Sequence, residues 1–544
     1  MSRAAKLHQL IPTGQRAPLA GAKTPQVKNN AGGYSWKVSD QQRLERFLIL
    51  GTDAGSYYAS PRELTLDACA TLLPMIQRDG LGVVHTLTEV SVEGRAPRQD
   101  PAITLLAYCL KSGDLATRQA AAAAVPQVCR TGTHLFQLAR LIDQMGGWGR
   151  LTRKAVGSWY ADKGWDALGL QLAKYQQREG WSHRDLLRLC HVRPPTLGHG
   201  ELFRWVTQGF PEGVPANQPS EALRLPWAMG LAQAAKADPA QVAALVRQHA
   251  LPRECLPSEV LNNPGVWSAL LHTPGAIGMT ALLRNLGKMT SIGLFSRDRG
   301  AAAAVCAALT DPRALRAGRI HPLSVLVALH TYRSGRGLRG GLKWAPHDEV
   351  CAGLEKAFHA SFHAVRPTGA RHLLAVDVSG SMGCGEIAGM TGITPRVGAA
   401  AMALTTLKTE PSTELYAFSH TLQRVDLGRR ADLETVHRTF DAIPMGGTDC
   451  ALPIEHARTH RIPVDTFVVY TDNETWFGKV HPAAALRAYR AAMNRPAKLI
   501  VVGMLGNAFT IADPNDPGML DVVGFDSSAP AVMADFARAD PTRG

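Results

Sequence analysis

Residues 372–376 form a short, mostly apolar run that ends directly in Asp377-Val378-Ser379-Gly380-Ser381, and this junction constrains the chain more than any other. A strand ending in Asp-x-Ser-x-Ser places one carboxylate and two hydroxyls on a single tight turn. Further apolar, β-branched runs lie at 415–418, 467–470 and 499–502, with helical patterns at 397–407, 451–458 and Pro482–Met493 between them. Alternation of this kind predicts an α/β, doubly wound, mostly parallel sheet over residues 366–544. Ligands of such sheets bind at the carboxyl ends of strands. Asp377 and Asp472 both follow apolar strands, and Thr448 stands in the loop Gly446-Gly447-Thr448-Asp449.

Asp377, Ser379, Ser381, Thr448 and Asp472 would make an all-oxygen cradle of low charge, with room left for water or a partner's carboxylate. Hard divalent cations, Mg²⁺ first among them, take incomplete sites of this sort, although the ligand set alone does not choose between Mg²⁺, Mn²⁺ and Ca²⁺. The three hydroxyls would ligate directly. The two aspartates would accept hydrogen bonds from bound waters and set the charge. The bland alternative, in which Asp377 caps a turn and the hydroxyls satisfy backbone groups, does not account for a matching Thr and Asp at two other strand or loop ends. Catalysis is disfavoured. An aspartate nucleophile usually has a second carboxylate two residues on as general acid, and here that residue is Ser379. A Gly-x-Ser-x-Gly elbow is also absent at this position. The arrangement resembles the metal-ion-dependent adhesion site of a von Willebrand factor A domain, which is a binding module.

The preceding two-thirds of the chain reads differently. Apolar residues recur at three- and four-residue steps over 64–79, 102–111, 115–126, 134–145 and 151–163. Similar patterns follow at 182–190, Pro239–His249, 280–286, 301–309 and 321–330, with Gly, Pro, Asn and Asp between them. Short helices in series without a strand signal predict α-helical, stacked hairpins of the HEAT or armadillo kind over 28–365. Residues 1–27, with Pro12, Pro18 and Pro25 among scattered Lys and Arg, read as a basic, flexible arm.

Charge separates the two halves. Of 59 Lys+Arg and 45 Asp+Glu, residues 366–544 hold 17 and 19, leaving 42 and 26 before them. A strongly basic domain beside a near-neutral one suggests a polyanion partner for the first, with nucleic acid the leading candidate. No run of about 18 uncharged apolar residues occurs, and the N-terminus lacks an apolar signal core. Nine scattered cysteines without a Cys-x-x-Cys pair fit reduced thiols in a cytoplasm.

Two basic sets stand out in the helical part. In the stretch 174–191, Lys174 and Arg178 are four apart and would share a helical face, with Tyr175 and Trp181 interleaved. Ser182 and Asp185 read as an N-cap and acidic first turn of a helix carrying Arg188 and His191. Such a face suits phosphate contact and base stacking, or is simply a solvated helix face. The second set comprises Arg150, Arg153 and Lys154, after Gly146-Gly147-Trp148-Gly149, with Arg130 and His134.

Several blocks together carry a family resemblance. They include Gly32-Gly33-Tyr34-Ser35-Trp36, Arg43-Leu44-Glu45-Arg46-Phe47-Leu48, Gly55-Ser56-Tyr57-Tyr58 and Cys129-Arg130-Thr131-Gly132-Thr133-His134-Leu135-Phe136. Residues 174–191, 281–290, 335–344, 446–450 and 471–474 complete the set. The chain resembles bacterial members of the Ro ribonucleoprotein family, in which a TROVE module precedes a von Willebrand A domain. The resemblance implies a ring of helical repeats with a basic hole that takes single-stranded 3′ ends of misfolded or unpaired RNA. It also implies an outer surface that binds a small Y-like RNA, and an association with polynucleotide phosphorylase in RNA degradation or ribosomal RNA maturation. By resemblance, Lys174, Arg178 and His191 match RNA-contacting positions of the outer surface. Arg130, His134, Arg150, Arg153 and Lys154 are candidates for the hole by charge and neighbourhood. The chain departs from the animal pattern at Gly380, often Ala there, a change that leaves the ligands in place. The rival expectation is a protein–protein adaptor with an adhesion site and no RNA role.

Overall fold

The computed structural model describes residues 14–51, 61–210, 212–337, 341–362, 366–387, 392–428 and 430–538, with side chains of the helix beginning at Pro61 described from residue 72. The block Gly55-Ser56-Tyr57-Tyr58 and the first 13 residues of the expected arm lie outside these.

The strands, in chain order, are β1 (Val27–Lys28), β2 (Tyr34–Lys37), β3 (Gln177–Arg178), β4 (Trp181–Ser182), β5 (Arg371–Asp377) and β6 (Ser412–Phe418). They continue with β7 (Leu422–Arg424), β8 (Thr466–Thr471), β9 (Lys498–Gly503), β10 (Phe509–Thr510) and β11 (Met519–Val523).

From Asp40 to Ala360 the chain is a succession of mostly short helices, broken by the hairpin β3–β4, and several of them start at a side-chain cap. Asp114 accepts a hydrogen bond from Thr117 N at 2.7 Å to cap Leu115–Val128, and Thr131 accepts from His134 N to cap Gly132–Gln144. Ser182 and Asp185 form the expected capping box of His183–Cys190. The helices do not run out in a line. Residues near 95–134 and residues near 280–344 face one another across one cavity, so the series curves back on itself. His321 closes the seam: its Nε2 lies 3.0 Å from Arg95 O and 2.6 Å from Phe525 O. Among the described residues no helix is long and apolar enough to cross a membrane.

The C-terminal sheet has the order β11-β9-β8-β5-β6-β7, parallel throughout except for the antiparallel edge strand β7. Side chains alternate between its two faces. Leu373, Ala375, Phe467 and Val501 pack in one core with Ile454 and Leu486. Leu374, Val376, Val468 and Val502 pack in the other with Met402 and Leu404, and that core is continuous with the core of the helical part. The order reverses between β5 and β8, which makes their carboxyl ends the topological switch point.

Two expectations fail here. Residues 14–27 do not form a free arm: Gln15 is fully buried, and Trp36 just beyond them sits in the sheet's core beside Leu373 and Phe467. The reason is edge pairing, since β2 joins β1 to β10 in a small antiparallel sheet. Lys174 and Arg178 do not share a helical face either. The helix Trp165–Lys174 ends at Lys174, and Arg178 belongs to the hairpin β3–β4. Its turn is Glu179-Gly180, both with positive φ (55° and 79°), a pair that favours a tight hairpin over helix continuation.

Candidate nucleic-acid interface and metal cradle

The helices surround a cavity of about 1290 Å³. Arg98, Arg130, Arg253, Arg284, Lys288 and Arg319 reach its lining, against one carboxylate, Asp100, among the described lining residues. Tyr175 and Trp344, both partly exposed, supply ring surfaces to it, while Trp267 and Tyr332 back its wall from the core. Arg130 donates to Gln99 Oε1 at 2.9 Å, and burial together with the nearby Arg319 guanidinium brings its pKa down to about 10. Burial, with Arg130 beside it, holds His134 down to about 4, so it is neutral at physiological pH. The field in this cavity is positive and only partly quenched by the protein itself, which is the electrostatic state that attracts phosphates.

Arg130 and His134 lie in the cavity lining. Arg150, Arg153 and Lys154 do not: they project into solvent from the helix Arg150–Ala161. That helix packs against His183–Cys190, and the flanking rings Trp148 and Trp181 sit 5.4 Å apart. These three cations therefore extend the surface of Arg178, Arg184, Arg188 and His191, all exposed. His191 ends its helix in a left-handed conformation (φ 50°). Lys174 lies apart from them, half-buried, 3.4 Å from Glu254 and over the ring of Tyr175. Arg253, Arg284, Lys288 and Arg319 escaped the sequence reading. Arg284 and Lys288 share a face of Met279–Ser291, four residues apart, but Arg253 and Arg319 are single cations that only the closure of the helices brings to them.

The five cradle residues converge at the switch point, all with 0 % exposure. Asp377 ends β5; its Oδ1 accepts from Ser379 N at 2.8 Å and its Oδ2 from Thr471 Oγ1 at 2.7 Å. Ser379 Oγ and Ser381 Oγ are 3.2 Å apart. Asp472 follows β8, and its Oδ1 accepts from Glu474 N at 3.0 Å. Burial and the neighbouring Asp472 push the Asp377 carboxyl up to about 7, and burial raises Asp472 as well. Two buried oxygens, Thr448 Oγ1 and Asp472 Oδ2, have no hydrogen-bond partner among the described residues. Buried polar atoms are normally satisfied. A hydroxyl and a carboxylate oxygen left open beside two serine hydroxyls match the donor set of a hard divalent cation. No group of three or more His, Cys, Asp or Glu gathers for a metal among the described residues. Any ion here would therefore be held largely by hydroxyls. No proton donor stands two residues beyond Asp377, where Ser379 spends its position on the turn.

A helical ring around a basic cavity, joined to a von Willebrand A-type sheet with an oxygen cradle at its switch point, is the architecture of a TROVE protein with an A domain. Residues 27–208 and 248–333 match the TROVE domain, and residues 371–537 match the Ro60 vWA domain. The chain is 43% identical over 517 residues to the RNA-binding protein RO60 of Deinococcus radiodurans, covering 95% of this chain and 96% of that protein. It is 34% identical to the RNA-binding protein RO60 of Caenorhabditis elegans, over 94% of this chain and 90% of that one. The crystal structure of the Deinococcus radiodurans RO (RSR) protein superposes with a TM-score of 0.68 at 42% identity, covering 92% of this chain and 99% of that chain. The chain belongs to the Ro60 family.

Proposed function

We propose that this protein is an RNA-binding scaffold rather than an enzyme. The observation that carries the reading is the central cavity, with six cationic side chains against one carboxylate among its described lining residues. Phosphates of a single strand would meet Arg130, Arg253, Arg284, Lys288 and Arg319, and unstacked bases would find the rings of Tyr175 and Trp344. Unpaired 3′ ends of misfolded RNA suit such a site, because their bases are free to leave a stack. The exposed side chains Arg150, Arg153, Lys154, Arg178 and His191 would form a separate outer face for a structured, Y-like RNA, and Lys174, half-buried beside Glu254, would contact it from outside that cluster.

The A domain is read as the protein-recruiting half. Asp377, Ser379, Ser381, Thr448 and Asp472 would hold Mg²⁺, and a partner's acidic side chain would complete its coordination. Because all five are buried, that carboxylate enters only when the covering groups part. Polynucleotide phosphorylase, named by the family resemblance, is the partner to try first. A cytoplasmic location fits the eight described cysteines, which are all free thiols.

The test is binding of a labelled hairpin RNA with and without a single-stranded 3′ tail, across a salt series. Tail-dependent, salt-sensitive binding that weakens in Arg130→Ala/Arg319→Ala is the expected result. No binding at low salt would leave the protein adaptor as the better account.

A further inference from the structure

The chain's first described residues reach into the cradle's supporting loops. Gln15 is fully buried against the A domain, and its side-chain amide is fully used. Nε2 donates to Asp449 Oδ1 at 2.9 Å and to Val480 O at 2.7 Å, Oε1 accepts from Thr475 Oγ1, and the backbone N donates to Gly478 O at 3.0 Å. Asp449 directly follows Thr448, and Thr475 lies in the turn that Asp472 opens. Gln15 thus adds a side-chain bridge between the two loops that present Thr448 and Asp472, which also meet directly where Thr448 O accepts from Trp476 N and Phe477 N at 3.0 Å.

The direct contacts run through the backbone of Thr448, and Gln15 fixes the neighbouring Asp449 side chain to the same loop pair. Asp377 and Ser379 are fixed by their own turn and by Thr471. The two cradle oxygens without partners, Thr448 Oγ1 and Asp472 Oδ2, are on the loops Gln15 bridges. The rest of the N-terminal segment adds to the grip. Asn29 Nδ2 donates to Thr475 O at 2.9 Å, Asn30 Nδ2 to Glu474 Oε1 at 3.0 Å, and Ser35 Oγ to Asn473 O at 3.2 Å. The approach is close enough to require glycine at position 33, where a Cβ would fall 1.9 Å from Thr475 O.

We infer that Gln15 is a positioning residue of the metal cradle, holding the Thr448 and Asp472 loops at the spacing a divalent cation needs. The N-terminal segment is therefore part of the A-domain site. This rests on the divalent-cation reading above. Outer partners of a metal site orient its ligands, and their loss typically costs about 10–100-fold in affinity.

The experiment uses the full chain, stripped with a chelator. Mg²⁺ is titrated calorimetrically and Mn²⁺ by electron paramagnetic resonance, and hydrogen–deuterium exchange is recorded in the metal-free state. Gln15→Ala should weaken both ions by about tenfold and speed exchange selectively in 446–450 and 472–478. Thr475→Val, which also removes the Oγ1 contacts to Cys450 N and Thr448 O, should weaken binding at least as much, and the double variant should cost less than the sum because the Gln15–Thr475 bond is shared. Asn515→Ala, which removes a tie to Thr24 elsewhere on the segment, should bind like wild type. Wild-type affinity and unchanged exchange in Gln15→Ala would overturn the inference. So would an equal loss in Asn515→Ala, which would mark a general loosening. If wild type itself binds neither ion, the cation reading fails. Exchange then decides alone: acceleration confined to the two loops supports the positioning role, and none refutes it.

Discussion

Arg46 and Asp521 form a two-pronged ion pair, 2.7 and 2.8 Å, with side chains 0% and 2% exposed. Arg46 comes from the first ring helix, Asp40–Leu50, and Asp521 from β11 of the sheet, so the pair rivets the two domains. Arg46 also donates to Asn507 O at 2.9 Å and Phe509 O at 2.7 Å. Removing one member strands the other charge in the interior. Arg46→Ala should lower stability by about 3–5 kcal/mol in urea denaturation, and adding Asp521→Leu should recover part of the loss.

The seam histidine makes stability depend on pH. Burial holds His321 at about 4, below the ordinary 6.5, so it is neutral when folded. The unfolded chain takes up a proton from pH 6.5 downward, and the folded chain does not until about 4. The stabilising contribution is thus complete above 6.5 and is lost as pH falls through that window. Between pH 7.5 and 5, wild type should lose about 2 kcal/mol more than His321→Gln, measured from paired urea midpoints.

Arg319 is a cation that binding would use and folding does not need. Its charge opposes that of Arg130, and both are pulled below their ordinary values by burial. Arg319→Ala should leave the melting temperature unchanged or slightly raised. Its affinity for a 3′-tailed RNA should fall, and the slope of log K against log salt should become shallower by about 0.7 for one lost single-strand phosphate contact.

Lys174 and Arg178, both matched by resemblance to RNA-contacting positions, should behave differently. Lys174 already has Glu254 at 3.4 Å, whereas Arg178 is exposed on its hairpin. Arg178→Ala should weaken binding of a structured RNA more than Lys174→Ala does. Glu254→Gln should strengthen it, since the competing carboxylate is gone; filter binding at one low salt concentration ranks all three.

Local chemistry was legible in the sequence. Pro239–His249 and Pro482–Met493 are helices with the bounds their periodicity predicts, and the Ser182/Asp185 cap is where the pattern puts it. The strand that ends in Asp377, and the loop and strand ends that bring Thr448 and Asp472 to it, follow from alternation and the switch-point rule. Each of these depends on residues a few positions apart. The misses depend on contacts between distant parts of the chain. Nothing near Gln15 announces that its amide will be buried 434 positions away against Asp449. Nothing near Arg319 announces that it will face Arg130, and Arg150, Arg153 and Lys154 look as suited to a hole as Arg130 does until the helices close. Sequence alone determined many of the helices, the central strands of the sheet, the charge asymmetry and the gathering of oxygen side chains at strand ends, because propensity and periodicity act locally. Only the tertiary structure decided which cations share a cavity and what holds the cradle together, because helix stacking and strand-edge pairing join residues that local patterns cannot relate.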